Sequence, residues 1–365
     1  MRYKTNFSDT QKKMLDWWDN KNTGRPLMRI VAKRDKPIDQ LEECEPFTTP
    51  EEIRLNVEKN IIDYRNHCKT HEFLCEAYPN FSMDLGPGSL ALYLGGEPGF
   101  AWDTVWFKEN IHDLEAAPDF VFNPNNHWFK LHLDLVRKAV EMANGEFLVN
   151  IPDIIENIDI LAALRGPENL CVDIMDSPET VKKLNNQINN LYFQHFDAFH
   201  DIVKLPDGSN SYTAFDIWGP GKVAKTQCDF NVLLSPSQFD EFVLPGTIEQ
   251  CAQLDYSAFH VDGPDALRHV DSLCTVKDLN VIQWTYGAGQ PDGINERWYA
   301  PIFAKAAKAG KATLSSIQDG DVHDWIPKID KLVNTFGTSG LYLKFPAMSM
   351  ESANRLIDHA ETHWK

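Results

Sequence analysis

The stretch Ser257–Gly263, SAFHVDG, is the one from which the fold can be read. It is a short, mostly apolar run that ends in a histidine and an aspartate, and Gly263-Pro264 then stops any strand. Runs of the same kind recur at Glu146–Asp153, Tyr212–Trp218, Thr226–Val232, Val281–Tyr286, Ala312–Asp319 and Gly340–Phe345. Helical signals lie between them. Ser177-Pro178 and Ser235-Pro236 place a capping hydroxyl before proline at the first helical position, and Gly310 stands where a helix C-cap belongs. Strands alternating with helices predict a parallel sheet. Residues 146–365 hold enough such units to close a (β/α)8 TIM-like barrel.

Residues 1–145 read as a mostly helical cap that feeds the barrel and lines its mouth. Thr49-Pro50-Glu51-Glu52 opens one helix, with Ile53, Val57, Ile61 and Tyr64 on its apolar face. No repeat, linker or low-complexity segment divides the chain, so 1–365 is taken as a single domain. Composition then narrows the function. With 35 basic and 53 acidic side chains the net charge is −18, which excludes a general nucleic-acid binder or a partner for anionic membranes. No apolar run approaches the ~18–20 residues of a membrane span. Seven scattered cysteines without a CxxC fit free thiols in a reducing cytoplasm, where the protein is expected.

In a parallel barrel the chemistry sits at the carboxyl ends of the strands. Those ends carry Asp153, Asp216, Asp229, His260, Asp262, Gln283, Trp284, Gln318, Asp319 and Lys344. His260 and Asp262, two apart on a strand, share a face and project together. They offer either two metal ligands or an acid/base histidine with a carboxylate, against a structural histidine–aspartate hydrogen bond. Asp319, Asp321 and His323 are a second cluster or a solvated loop. Trp102 and Trp106 flank Asp103 and either wall a pocket or pack in the core. The Gly-rich turns are not phosphate loops, and no GxSxG elbow is present. A barrel glycosidase is disfavoured because these strand ends offer aspartates and no glutamate.

Cys228–Pro245, CDFNVLLSPSQFDEFVLP, resembles the uroporphyrinogen decarboxylase superfamily, with support from LALYLGGE at 90–97 and LRGPENLCVDIMDSPE at 164–179. The resemblance implies a (β/α)8 barrel with a helical N-terminal extension. It also implies one of two branches, porphyrinogen decarboxylases or zinc-dependent methyltransferases that work with corrinoid proteins. Against the first, the arginines of the decarboxylase MRQAGR motif do not fall in register near Met28-Arg29, and no GHG histidine appears at Phe345–Met348. For the second, His260 keeps the first residue of the HxC zinc pair, Asp262 replaces the next, and no later cysteine follows.

The reading is therefore a divergent methyltransferase of this superfamily, with catalytic His260, Asp262 and Asp229. Zn2+ would sit on His260 and Asp262, the methyl group would be carried by a corrinoid protein, and a homodimer is left open. The small-molecule substrate would meet Asp84, Asp153, Gln283, Trp284 and Asp319, inside walls made by Trp102, Trp106 and Trp218. The alternatives are a metal-free decarboxylase or lyase on a small carboxylated substrate, and a ligand-binding barrel without catalysis.

Overall fold

A computed structural model describes residues 1–212 and 214–365. After a first helix, Phe7–Trp18, the chain forms β1 (Leu27–Lys33). This is an apolar run, LMRIVAK, buried except at Arg29 and Lys33, as a strand covered on both faces requires. β2 (His71–Cys75) folds back antiparallel on it. β3 (Asn80–Phe81), the hairpin β4 (Glu97–Phe100) and β5 (Val105–Lys108), and β6 (Leu148–Val149) follow. β7 (Asn210–Tyr212) and β8 (Ile217–Gly219) form a second hairpin. The predicted alternation is then plain: β9 (Val223–Gln227), β10 (Tyr256–Asp262), β11 (Val281–Thr285), β12 (Ala312–Ser316), β13 (Leu341–Lys344) and the short β14 (Met348–Ser349), with helices between most of them.

Seven strands form one parallel sheet in the order β14-β1-β13-β12-β11-β10-β9, so the fold is α/β and TIM-like. Two expectations change. The first 145 residues are more than a helical cap, because β1 lies inside the sheet between β13 and β14. Nor does a continuous eight-strand ladder close among the described residues. Beyond β9 the wall is built from short pieces. β3 pairs with β6 over two residues, and Ile151 bridges Tyr212.

Pro79 and Pro152 bound these pieces and can donate no ladder hydrogen bond. The step to β9 is made by a side chain instead. Asn210 Oδ1 accepts the Val223 N–H at 2.8 Å, and its Nδ2 donates to the Val223 carbonyl at 3.0 Å. The run Tyr212–Trp218, predicted as one strand, is the β7–β8 hairpin; its Thr213 lies outside the described residues.

The helix Phe7–Trp18 plugs the amino-terminal ends of the strands. Trp17 Nε1 donates to the Gly340 carbonyl just before β13, and Trp18 stacks on Tyr256 at the start of β10. The opposite, carboxyl-terminal end is therefore the mouth. Caps hold where the sequence places them. The Thr49 hydroxyl takes the Glu52 N–H, Ser235 and Gln238 form a capping box before Pro236–Phe242, and Ser349 caps Met350–His363. None of the described helices is long and apolar enough to cross a membrane.

Candidate functional site

Register sets the interior of the mouth. Gln227, His260, Gln283, Leu314, Tyr342 and Leu27 lie side by side on six neighbouring strands. Partners in a parallel ladder point to the same face, so these side chains form one layer. His260 Nδ1 meets the Gln283 side-chain carbonyl, and Gln283 Nε2 donates to the Thr285 hydroxyl at 3.0 Å. With a carbonyl facing it, Nδ1 carries the proton. Nε2 is then the basic nitrogen, and it has no protein partner among the described residues. Asp262, two residues on, is exposed on the same face. Partial desolvation pushes its carboxyl up and the nearby Asp229 carboxylate adds to this, against the pull of His260.

One layer higher, Arg29 and Lys344 are register partners. Both reach Asp216 Oδ2, Arg29 Nε at 2.9 Å and Lys344 Nζ at 3.0 Å. Burial alone would raise the Asp216 carboxyl, but Lys344 and Arg29 outweigh it and hold it below its ordinary value. The three charges sum to one positive charge. Asp216 sits at φ 54°, a left-handed conformation that costs a non-glycine residue roughly 1–2 kcal/mol. The strained tip of the β7–β8 hairpin thereby brings Asp216 to the cations and sets Phe215 5.2 Å from the His260 ring. Arg29, Lys344, Phe215 and Thr285 line one cavity of about 390 Å³.

On the other side of Gln227 is a second cavity of about 510 Å³, between the β4–β5 hairpin and the helix Asn157–Arg165. Asp159 and Asp229 lie in its wall. Asp159 accepts the backbone N–H groups of Asp229 and Phe230 at 2.7 and 2.8 Å. Burial and the Asp229 charge raise it to about 6 in spite of those bonds. Gln227 Nε2 donates to Asp229 Oδ2 at 3.0 Å.

Beneath runs a buried ionic chain. Lys225 Nζ is 2.6 Å from Asp153 Oδ2, and Asp84 Oδ2 accepts the Asp153 N–H at 3.0 Å. Burial, with the Asp153 charge, raises Asp84 to about 6. Glu156 is fully buried, which pushes its carboxyl well above the usual range. It takes the Gln227 N–H at 2.8 Å with Oε1, while Oε2 has no partner. Ile155 and Asn157 on either side of it also have positive φ. Strained backbone gathered in this way is characteristic of working sites.

The residues singled out in the sequence are thus only partly brought together. His260, Asp262, Gln283 and Asp229 share the mouth, Trp106 lines the larger cavity, and Trp102 is 57% exposed on the same hairpin turn. Asp84 and Asp153 lie deeper, in the ionic chain. Trp284 does not face the mouth. It is fully buried against Trp298, with ring centroids 4.9 Å apart, because neighbours on a strand point to opposite faces. Trp218 is also core: its carbonyl accepts Trp18 Nε1 at the plugged end.

Asp319 is exposed and accepts the Tyr286 hydroxyl at 3.4 Å. Asp321 beyond it is the N-cap of the helix Val322–Phe336, with Asp324 completing a capping box. Arg29, Asp159, Asp216 and Glu156 were not assigned roles from the sequence. Zinc does not fit the donors present. A catalytic zinc needs about three protein ligands, and among the described residues no three His, Cys, Asp or Glu side chains form a metal-holding group.

No protein-family model matches the chain, and no curated protein matches it in sequence. In fold the chain is similar to a methyltransferase from Methanosarcina mazei, at TM-score 0.62 and 9% identity, over 98% of this chain and 99% of that one. A B12-independent methionine synthase from Shewanella sp. W3-18-1, in complex with selenomethionine, aligns at TM-score 0.45 and 8% identity over 93% of this chain and 97% of that one. The first likeness establishes the fold; the second is too loose to add to it.

Proposed function

We propose that the chain is a barrel-mouth enzyme of the methyltransferase type, acting on a small substrate with an anionic group. Arg29 and Lys344 hold that group, and His260 moves the proton that accompanies methyl transfer. One observation carries the reading: two cations and a histidine with an unpartnered Nε2 converge on one mouth, with Phe215 against the histidine ring and in the wall of the cavity that both cations line. The fold likeness to the Methanosarcina mazei methyltransferase and the resemblance at Cys228–Pro245 support the type of reaction.

His260 Nε2 takes the proton of an acceptor X–H as X attacks the methyl carbon, and the bond from that carbon to the methyl donor breaks with its electron pair leaving on the donor. In the reverse direction the imidazolium returns the proton to the leaving heteroatom. Gln283 fixes the tautomer through Nδ1, and Asp262 offsets the charge on the imidazolium. In this reading a corrinoid on a partner protein supplies or accepts the methyl group.

A second reading is favoured by the same two cations. They would anchor the carboxylate of a substrate that a metal-free decarboxylase or lyase cleaves, with Asp229 stabilising a developing cation. The test mixes the enzyme with reduced cobalamin and a panel of small methylated carboxylic acids, following methylcobalamin absorbance and CO2 release together. Methyl transfer that is lost in His260→Ala supports the first reading. CO2 release without methyl transfer supports the second, and carboxylate binding with neither reaction leaves a ligand-binding barrel.

A further inference from the structure

The larger cavity, about 510 Å³, has walls that specify an occupant. Trp106 and Phe107 on β5 and Phe230 after β9 give it three aromatic rings. Trp106 is left 71% exposed, a large apolar ring at the cavity lip with nothing packed over it. Its charged lining residues, Glu109, Asp159 and Asp229, are all acidic, and no lysine or arginine is among the described lining residues. Asp159 is fixed in place by two backbone N–H groups, whereas Asp229 is exposed and accepts only Gln227 Nε2. The neighbouring cavity is the opposite, with Arg29 and Lys344 in its wall. Gln227, from the larger cavity, pairs with His260 across β9 and β10, and Thr285, from the smaller one, pairs with Asp262 across β10 and β11.

We infer that the larger cavity binds an organic ammonium ion, with the alkyl groups on nitrogen against Trp106, Phe107 and Phe230 and the charge facing Asp229 and Asp159. Aromatic faces attract such cations, and the two carboxylates in the cavity wall add to the attraction. The inference rests on the mouth being the working site, and it makes the preferred substrate one that is cationic at one end and anionic at the other.

The test is equilibrium binding to the full chain by calorimetry, using choline and its neutral isostere 3,3-dimethylbutanol. Choline is expected to bind at least about tenfold tighter than the isostere, to lose about tenfold in Asp229→Asn, and to weaken in Trp106→Ala. Equal or tighter binding of the neutral isostere overturns the inference, as does an Asp229→Asn variant that binds choline like wild type. No binding of choline up to about 10 mM overturns it as well. Asp229 is exposed, so its replacement tests the charge without threatening the fold. The measurement needs no turnover. Choline binding that survives His260→Ala upholds the inference even if methyl transfer fails, and methyl transfer in a protein that rejects choline overturns the inference alone.

Discussion

Replacing Asp216 with asparagine isolates the charge at the centre of the mouth. Asparagine tolerates the left-handed backbone at φ 54°, so the hairpin tip keeps its shape while the carboxylate is lost. Arg29 and Lys344 are then two cations facing each other with no counter-charge, each about a quarter exposed. Removing one partner from a buried pair costs about 3–5 kcal/mol, and this partial exposure places the loss near about 3 kcal/mol. At about 2.1 cal/mol/K per residue, 365 residues give an unfolding entropy of roughly 0.8 kcal/mol/K, so Tm should fall by about 4 °C.

The sign with pH follows from the lowered Asp216 carboxyl. Its contribution is complete above the unfolded value of about 4 and is lost as pH falls through the lower folded value, so the two proteins should converge in strong acid. Asp216→Asn also raises the net charge of the site from one to two, so a small carboxylate should restore Tm more in the variant than in wild type. Calorimetric scans at pH 7, with and without acetate, decide it. A Tm unchanged within about 1 °C, or an identical response of both proteins to acetate, would refute the argument.

Three further outcomes are expected. Lys225→Met should cost about 3–5 kcal/mol in denaturant titrations by leaving Asp153 unpaired, and Lys225→Met/Asp153→Asn should recover part of it; no recovery would show that the ion pair is not the cause. Buried His132, between the Tyr93 hydroxyl at 2.6 Å and the Met83 carbonyl at 3.0 Å, is held neutral with its value lowered to about 4 by burial. Its contribution is therefore lost as pH falls from about 6.5 toward about 4, by up to about 3 kcal/mol, and His132→Gln should flatten that slope. Exhaustive dialysis against a chelator should leave Tm unchanged, and one tightly held zinc per chain that disappears in His260→Ala would contradict the donor geometry.

Much of the fold was legible because its signals are local. β10, β11, β12 and β13 fall within one to three residues of the predicted runs, since each is a short apolar stretch closed by polar or turn residues. The Thr49, Ser235 and Ser349 caps are equally local. β1 was hidden because Arg29 and Lys33 interrupt an apolar run that follows Arg25 and Pro26, whereas the run Glu146–Asp153 reads as a strand of which only Leu148–Val149 forms β6. The site shows the same division.

His260 and Asp262 share a face by simple alternation, and the same alternation could have removed Trp284 once Gln283 was placed inside. Asp321-x-x-Asp324 was readable as a cap. Asp216 was placed at a strand end, although it lies at a hairpin tip; Arg29 and Asp159 were not legible, because they come from β1 and a helix start. Only the packing of the sheet with its helices and hairpins brings them to the two cavities of the mouth.

The division of labour at the mouth is tested most directly by a kinetic comparison of Lys344→Met and His260→Ala on the best substrate of the panel. Lys344→Met should raise KM about tenfold or more with kcat nearly unchanged, because it removes an anchor that acts equally before and in the transition state. His260→Ala should lower kcat about 100-fold or more with KM nearly unchanged, because it removes the proton carrier. If instead both variants move the same parameter, or His260→Ala retains wild-type kcat, the assignment of anchor and acid/base is contradicted.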